Sequence, residues 1–383
     1  MNPARFISER LKFQGGIATV SVAISFLVII IAVAVTAGFR AEMRKGITAL
    51  SGDIQLTSPD LNYMSEDSPV KLSESTFIDS IPDVRKRIPA VYRAGIVKNG
   101  ENIHGVLFKG TPEGPDSLGV TIPDKLSRLL GLNIGDKLLS YFIGDKVKVR
   151  NFTIKGIYPT IIPGDDNLVV FAGLEDMQRL NGWEADQVSA VELELSTRSD
   201  AEDMEYVATD ISTHMLASIP EDENVPVATS AARKYNTIFS WLDLLDLNAL
   251  MVLALMTIVA GFNMISGLLI MLFRNISTIG LLKALGMTDR KISEVFLRVA
   301  SSVVLKGMAI GNAAALVLCA IQSKTHLLKL NPENYFLSFV PVKLNLTLIL
   351  AADLLAYLLI MVLLLIPTLF VSRVDPAKTV RAQ

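Results

Sequence analysis

The stretch from Leu247 to Arg298 constrains the fold more than any other part of this 383-residue chain. It opens with a run free of charge, Leu247 to Phe273, which is longer than the ~20 apolar residues that cross a bilayer as a helix. The chain then continues without a helix breaker into an amphipathic piece that ends at Gly286. A membrane helix followed at once by a short apolar-faced helix needs something to pack against, so we predict that this piece meets a partner.

Three further runs have the same apolar character. They cover Phe13–Phe39, residues 299–323 with Lys306 as an interruption, and residues 344–372 with Asp353 as an interruption. A hydrophobic fraction of 51% and a mean hydropathy of +0.44 suit a membrane protein with a large water-exposed portion. We therefore predict an α-helical membrane protein with four transmembrane helices and a large α+β extracytoplasmic domain inserted between helices 1 and 2.

The predicted organisation follows the chain in nine segments. They are a cytoplasmic amphipathic helix (1–14), transmembrane helix 1 (15–39), an α+β domain of two lobes with a stalk (40–246), transmembrane helix 2 (247–273), a cytoplasmic loop with the short helix (274–298), transmembrane helix 3 (299–323), a periplasmic loop (324–343), transmembrane helix 4 (344–372) and a cytoplasmic tail (373–383).

The large domain shows turn signals between alternating and helical patterns, which is typical of an α+β fold. Asn99-Gly100 and Gly144-Asp145 each separate two strand-like runs and predict two β-hairpins. A short helix is predicted over Ser75–Lys86, and Ala231–Asp246 is predicted to be a helical stalk that leads into the membrane.

Basic residues set the predicted orientation. The loop after transmembrane helix 2 and the C-terminal tail carry the larger share of the basic residues next to the spans, whereas acidic residues concentrate in the large domain. Cytoplasmic loops are enriched in Lys and Arg. We therefore predict that both termini lie in the cytoplasm and that the large domain lies on the other side of the membrane.

The amphipathic piece has apolar residues at Ile276, Ile279, Leu282 and Leu285, which recur at helical spacing. Gly286 is positioned to end this helix, because glycine readily adopts the left-handed conformation found after a helix C-terminus. We interpret the apolar residues as one face that binds a partner.

Several polar or small residues lie inside the predicted spans. Gly307 and Gly311 form a GxxxG pattern, which lets helix backbones approach closely, either within the chain or between two copies. Asn263 is a candidate for a hydrogen bond between helices. Lys306 and Asp353 are costly charges at membrane depth that either pair with each other or reach toward the interfaces.

Other classes of function are disfavoured. The sequence contains no Gly-Lys pair, so the phosphate-binding loop of an ATPase is absent. The three histidines stand far apart, and we predict neither a metal site, nor a cofactor bound by this chain, nor catalysis, nor nucleic-acid binding. The single cysteine, Cys319, lies within a hydrophobic run, so no disulfide can form within the chain.

The run Ile279-Gly-Leu-Leu-Lys-Ala-Leu-Gly286 resembles the signature of the FtsX-like permeases, as do Pro367 and Val374-Asp-Pro-Ala377 near the C-terminus. One departure is Thr278, which stands where that family has an acidic residue. The resemblance implies a membrane subunit bound to a cytosolic ATP-binding-cassette ATPase dimer, which would hold the ATP and Mg²⁺. It assigns coupling to the ATPase to Arg274, Ile276, Ile279, Gly280, Leu282, Lys283, Leu285 and Gly286.

Within that family, the chain resembles the lipoprotein-releasing membrane subunits. The similar segments are 38–44, 104–110, 130–137 and 262–266. The resemblance implies a dimer with a second copy or paralogue, a lipoprotein substrate and a periplasmic carrier. It also implies that the membrane is the bacterial inner membrane and that the large domain lies in the periplasm. By position alone, lipid or lipoprotein would contact Phe39, Met43, Leu247 and Met251.

Two other readings stay open at this point. One is a MacB-like export permease that docks a periplasmic adaptor, and the other is a signalling subunit that controls a cell-wall hydrolase. In the lipoprotein-releasing family, one paralogue binds the carrier through a long hook in a hairpin. The matching hairpin here is short, at Ile143–Lys146. Either this chain is the paralogue without the hook, or the loop Pro159–Asp166 serves instead, or the substrate differs.

Overall fold

The structure is a computed structural model that describes residues 16–144, 146–160, 168–196, 201–218, 225–331 and 337–368. The predicted helix over 1–14, the tail over 373–383 and most of the loop Pro159–Asp166 lie outside these ranges. The chain divides into two compact units. The span unit comprises Met1–Ala41, Leu242–Lys329 and Phe339–Gln383, and the outer unit comprises Glu42–Trp241 and Leu330–Ser338.

Four helices in the described part of the chain are long and apolar enough to cross a membrane, which confirms the predicted spans. The helices of this part are α1 (Gly16–Ser51), α6 (Asn236–Arg274), α7 (Ile276–Ala284), α8 (Asp289–Thr325), α9 (Leu346–Leu363) and α10 (Leu365–Thr368). Apolar side chains from the four long helices form one buried cluster, which includes Phe26, Met264, Phe296 and Ile360. Helices α1, α6 and α8 extend well beyond the charge-free runs, because polar residues continue each helix outside its apolar stretch.

The outer unit mixes strands and helices, as predicted. Its strands are β1 (Ile54–Thr57), β2 (Val70–Lys71), β3 (Val84–Asn99), β4 (Asn102–Thr111), β5 (Gly119–Pro123), β6 (Lys137–Phe142), β7 (Lys148–Tyr158), β8 (Val169–Gly173), β9 (Gln187–Val188), β10 (Ala190–Leu195) and β11 (Val227–Ser230). Its helices are a 3₁₀ helix (Leu72–Ser80), α2 (Asp124–Leu130), α3 (Leu174–Asn181), α4 (Ala201–Ser218) and α5 (Ala231–Lys234).

Six of these strands close into a barrel. The strand order β3-β4-β8-β5-β7-β6 is completed by a second pairing between β6 and β3, in which Ile96 lies opposite Tyr141. The barrel interior is packed with apolar side chains, among them Phe108, Phe142 and Phe152, whose ring centroids lie 4.9 to 6.3 Å apart. Closure pairs both edge strands of this sheet, β3 and β6, with each other over residues 96–98 and 139–141.

The first half of β3 belongs to a second group of strands. There β3 pairs with β10, β10 with β1, and β1 with β11, all antiparallel. Apolar residues of α4, including Met204, Ile211 and Met215, are buried in the same core cluster as β1 and β10. The long strand β3 thus joins the barrel to a three-stranded extension.

Both predicted hairpins are present. Asn99 pairs with Asn102 across a turn in which Gly100 has a φ of +60°, and Phe142 pairs with Lys148 in the second hairpin. The prediction of a helix over Ser75–Lys86 is wrong at its C-terminal end. A 3₁₀ helix ends at Ser80, and Val84 already pairs with Leu195 of β10, because long-range strand pairing overrides the local helical pattern.

The predicted stalk is helical but interrupted. α5 ends at Lys234, Tyr235 leaves helical geometry, and α6 then runs without a break from Asn236 to Arg274. The side chain of Ser230 caps α5 by accepting a hydrogen bond from the backbone N–H of Arg233. The stalk and the second span are therefore one helix from Asn236 onward.

Candidate functional site

The short helix α7 lies between two spans and has defined ends. The chain leaves α6 at Asn275, whose side-chain amide donates a hydrogen bond of 2.8 Å to the carbonyl oxygen of Met271. At the other end, Gly286 has a φ of +87°, and the N–H of Met287 bonds to the carbonyl of Leu282. This is the left-handed termination that glycine favours, as the sequence predicted.

α7 has a buried side and an exposed side. Ile279 and Gly280 are buried, while Ile276 and Leu282 are half-buried, with Leu282 packed against the span core. The exposed side carries two leucines, Leu281 and Leu285, which are 56% and 75% exposed. The remaining exposed residues here are Phe273, Arg274, Ser277, Thr278, Ala284 and Gly286.

This division corrects the prediction of a single partner-binding face. An α-helix turns ~100° per residue, so each step of three residues falls ~60° short of a full turn. Over the three steps from Ile276 to Leu285, the supposed stripe therefore passes from one side of the helix to the other. Of its four members, Leu285 alone is exposed, and the sequence analysis missed Leu281, which lies one residue before Leu282.

An ion pair links α7 to the start of α8. The ammonium of Lys283 lies 2.8 Å from Asp289 Oδ1, and the Lys283 side chain is only 10% exposed. Asp289 is in the first turn of α8, where the helix dipole favours a negative charge. Lys283 thus fixes the turn between the two helices within the chain.

The two glycines of the GxxxG pattern lie where α8 contacts α1. A Cβ atom added to Gly307 would lie 2.7 Å from Val22 Cγ1, and one added to Gly311 would overlap the carbonyl oxygen of Ala23. In the same bundle, Asn263 of α6 donates a hydrogen bond to the hydroxyl of Ser21 on α1. These three residues therefore make helix–helix contacts inside this chain.

We expect Gly311→Val to loosen the span unit, because overpacking a close helix contact costs ~1–3 kcal/mol. Cys319, the single cysteine, is buried in α8, so its reaction with a thiol-specific dye on heating reports the unfolding of the spans. The unfolding midpoint should fall by roughly 2–10 °C. Ala309→Val, on the exposed side of the same turn, is the matched control and should leave the midpoint unchanged.

The alternative in which Lys306 and Asp353 pair is wrong for this chain. Asp353 is buried and accepts a hydrogen bond of 2.6 Å from the side-chain amide of Asn312, whereas Lys306 is exposed. No ion pair between the two charges is found among the residues that the structure describes. Asn312 lies six residues, nearly two helical turns, beyond Lys306 on α8. It is Asn312, and not Lys306, that contacts Asp353.

Removing the side-chain amide of Asn312 should therefore lower the stability of the span unit more than removing the ammonium of Lys306. We expect Asn312→Leu to lower the midpoint of the Cys319 dye reaction, because a buried carboxylate without its donor costs ~1–3 kcal/mol. Lys306→Leu, which deletes a charge from the same helix, is expected to have no such effect. A larger effect of Lys306→Leu than of Asn312→Leu would restore the pairing hypothesis.

The C-terminal end of α1 is held in the outer unit by a buried charged network. The ammonium of Lys109 donates to the carbonyl oxygens of Ala49 and Leu50, at 3.1 and 2.9 Å, and lies 2.8 Å from Glu192 Oε2. The hydroxyl of Tyr92, which has one proton to donate, lies within hydrogen-bond distance of both Glu192 Oε1 and the Leu50 carbonyl oxygen. The carbonyl groups in the last turn of a helix lack hydrogen-bond donors within the helix, and this network supplies donors to the carbonyls of Ala49 and Leu50.

Burial governs the electrostatics of this network. The side chains of Lys109 and Glu192 are each 3% exposed, and burial raises the pKa of Glu192 above its usual value although Lys109 opposes the shift. Burial also raises the pKa of the Tyr92 hydroxyl, so Tyr92 stays a neutral donor. The sequence analysis missed these residues, whose only signal was a charge at a strand position flanked by apolar residues.

Other contacts join α1 to α6 and α1 to β1. Arg40 lies 3.0 Å from Asp243 and 2.5 Å from Asp246 of α6. In the outer unit, Arg44 lies 3.0 Å from the buried carboxylate of Asp53, just before β1. We call residues 40–51 of α1 the first stalk and Ala231–Asp246 the second stalk. Charge-assisted hydrogen bonds hold both of them.

The four residues proposed by position to contact lipid or lipoprotein separate into two pairs. Leu247 and Met251 are exposed on α6. Phe39 and Met43 are buried within the chain and are therefore not accessible to a ligand in this conformation.

Two family profiles cover the chain. The profile of the MacB-like periplasmic core domain matches residues 16–213, which is more than half of the chain, and that of the FtsX-like permease C-terminal domain matches residues 250–376. The second match contains the whole of α7. The first begins in α1 and ends in α4.

Known relatives are similar along the full length. The lipoprotein-releasing system transmembrane protein LolC from two strains of Xylella fastidiosa, Temecula1 and 9a5c, is 21% identical, over 97% of this chain and 94% of the relative. The periplasmic region of MacB from Actinobacillus actinomycetemcomitans aligns with a TM-score of 0.33 and 10% identity, over 50% of this chain and 95% of that structure. The extracellular domain of the noncanonic ABC-type transporter YknZ from Gram-positive bacteria aligns with a TM-score of 0.31 and 9% identity, over 46% and 99%. On the two profiles together, this chain belongs to the FtsX-like permeases with a MacB-like periplasmic core domain, the membrane subunits of ABC transporters, and is a multi-pass inner-membrane protein with a periplasmic domain.

Proposed function

We propose that this chain converts ATP hydrolysis by a separate cytosolic ATPase dimer into movement of its periplasmic domain. The observation that carries the proposal is the position of α7, which begins two residues after α6 ends and presents Leu281 and Leu285 to solvent. Leu281 and Leu285 are four residues apart and so lie next to each other on the helix surface, and contiguous exposed apolar groups mark interaction sites. ATP and Mg²⁺ would be bound by the partner, since the chain has no phosphate-binding loop.

The work that we propose is the extraction of lipoproteins from the inner membrane and their release to a periplasmic carrier. The similarity to LolC along nearly the whole chain supports this choice, as does the helix α6, which joins stalk and span without a break. Both termini would lie in the cytoplasm, and the permease would act with a second copy or a paralogue. The MacB-like match of the outer domain favours, as second candidate, an export permease that docks an adaptor.

The test is affinity purification of the full chain from detergent-solubilised native membranes, with identification of every copurified protein. An ATPase with a Walker motif together with lipoproteins would support extraction, and ATP-dependent transfer of those lipoproteins to a soluble carrier would complete the case. An ATPase with a periplasmic adaptor, or with a cell-wall hydrolase, would replace extraction by export or by signalling. Absence of any ATPase would contradict the coupling role itself.

A further inference from the structure

A groove runs along the outer surface of the barrel in the periplasmic domain. Its volume is about 690 Å³, within the ~300–1,000 Å³ range of small-molecule sites. The floor is formed by outward-facing residues of four strands, because residues paired across neighbouring strands share a face. They are Ala94 and Ile96 of β3, Gly105 and Leu107 of β4, Tyr141 of β6 and Val169 of β8.

The groove is lined almost entirely by neutral, largely apolar groups. Five tyrosines line it, namely Tyr63, Tyr92, Tyr141, Tyr158 and Tyr235. The hydroxyl of Tyr158 donates to the carbonyl oxygen of Val169 at 2.6 Å, and that of Tyr92 is used within the charged network. Burial raises the pKa of the Tyr63, Tyr92 and Tyr158 hydroxyls, so these groups stay neutral. Among the described lining residues, Lys234 alone has a charged side chain.

The cation lies at the end of the groove where both stalks arrive. The ammonium of Lys234 donates a hydrogen bond of 2.7 Å to Gln55 Oε1 and lies 5.9 Å from the ring centroid of Tyr92 and 5.8 Å from that of Tyr235. Burial lowers the pKa of Lys234, and the Glu192 carboxylate opposes this shift, as an anionic ligand would. Leu50, in the last turn of α1, and Tyr235, between α5 and α6, line the groove at the same end. The ends of two stalk helices thus form part of its wall.

Backbone pairing on the floor disfavours a peptide as the occupant. β3 is paired with β4 and β6, β4 with β3 and β8, and β8 with β4 and β5. Among the described residues, each of these strands is paired on both sides over part of its length, which leaves an extended peptide only short segments such as Asn102–Val106 of β4, paired with β3 alone. What the floor offers is an apolar surface, which an apolar chain can cover without needing hydrogen-bond partners.

We propose that this groove binds the acyl chain of an anionic amphiphile from the membrane, with its charged end directed toward Lys234. The inference rests on the proposed function only for the source of the acyl chain, which would be a lipoprotein or a membrane lipid. Binding itself does not require the ATPase. Because Leu50 and Tyr235 belong to the stalk segments, movement of the stalks would change the width of the groove.

The test is photo-crosslinking of the full chain, reconstituted in lipid nanodiscs, with a palmitate analogue that carries a diazirine at its methyl end. Adducts are mapped by mass spectrometry of peptides. We expect adducts on peptides of β3, β4 and β8, reduced about tenfold or more by Ile96→Glu, because an unpaired charge in an apolar site opposes binding. Ala94→Trp, which fills the groove without adding charge, should give the same reduction.

Val149→Glu is the matched control, since Val149 is exposed on β7 and does not line the groove. Adducts on the spans, which face lipid in every variant, serve as the internal standard. Fluorescence of Trp183 and Trp241, which both lie in the outer unit, verifies that each variant is folded. Adducts confined to the spans, or groove adducts that Val149→Glu reduces as strongly as Ala94→Trp, would overturn the proposal.

The same assay can distinguish the two sources of the acyl chain, lipoprotein and membrane lipid. Competition by a diacylated lipopeptide and not by an anionic phospholipid would assign the groove to lipoproteins, and the reverse would assign it to lipid; either result supports an acyl site. Displacement by an unacylated peptide alone would overturn it. A failed groove test beside a copurified ATPase would leave the coupling role standing, so the two proposals fail separately.

Discussion

Leu285→Asp is expected to weaken binding of the ATPase by about tenfold or more, and Leu281→Asp/Leu285→Asp by about a hundredfold. Burial of a leucine in an interface contributes ~1.5–3 kcal/mol, and a tenfold change in affinity corresponds to ~1.4 kcal/mol. The measurement is the amount of ATPase retained by the purified variant over a range of ATPase concentrations. Both leucines are exposed, so the fold should be unaffected.

Leu327→Asp is the control for this experiment. Leu327 is 73% exposed, nearly the same as Leu285 at 75%, but it lies in the loop after α8. The Leu327→Asp variant should bind the ATPase with the same affinity as the unchanged protein. Equal binding by all three variants would exclude the exposed side of α7 as the docking surface, and equal loss would point to a general effect of added charge.

Ile279→Asp cannot serve to test the docking surface on α7. Ile279 is buried in the span core, so an aspartate there places an unpaired charge among apolar groups and disrupts the fold. Loss of ATPase binding by such a variant therefore says nothing about the docking surface. The Cys319 dye reaction separates the two cases, because its midpoint falls for Ile279→Asp and stays constant for Leu285→Asp.

The second large effect is expected from Glu192→Gln, which should destabilise the outer unit by about 3 kcal/mol. Without the carboxylate, the ammonium of Lys109 stays buried with the carbonyls of Ala49 and Leu50 as its remaining partners. Breaking a buried pair by removing one member is costly for this reason. For a unit of about this size, the midpoint of the Trp183 and Trp241 fluorescence transition should fall by about 6–12 °C.

Glu175→Gln makes the same chemical change in an exposed pair. Glu175 lies 3.2 Å from Arg179, with both side chains more than two-thirds exposed, and such pairs contribute ~0–1 kcal/mol. The double variant Lys109→Met/Glu192→Gln should recover part of the loss, since it leaves no uncompensated buried charge but removes the donor to the carbonyls of Ala49 and Leu50. An effect of Glu192→Gln no larger than that of Glu175→Gln would contradict the role assigned to the network.

The network also connects stability to function. It binds the last carbonyls of α1, the helix that begins in the span unit. If the ends of the stalks transmit movement to the periplasmic domain, Glu192→Gln should uncouple ATP hydrolysis from substrate release before it abolishes folding. ATPase activity of the assembled complex, compared with release at a temperature below the midpoint, checks this expectation.

Local features were predictable from the sequence because their causes are local. The charge-free run Leu247–Phe273 demands a membrane helix by its length and polarity alone. The Asn99-Gly100 turn and the termination of α7 at Gly286 follow from the backbone freedom of glycine at positive φ. The family resemblance is carried by residues 279–286, a short segment that ends at Gly286, and the FtsX-like profile matches a range that includes it.

Only the tertiary structure decided which residues face which neighbour. The i, i+3 spacing of Ile276, Ile279, Leu282 and Leu285 is compatible with several faces of a helix, and packing against the spans selected the buried one. Likewise, Asp353 is joined to Asn312 and not to Lys306 because of how α8 and α9 pack. The closure of β6 on β3 joins residues up to 45 positions apart, as in Ile96 with Tyr141, and the buried pair Lys109–Glu192 joins residues 83 positions apart. Contacts over such separations depend on the whole chain being folded, so the sequence determined the elements and the structure determined the sites.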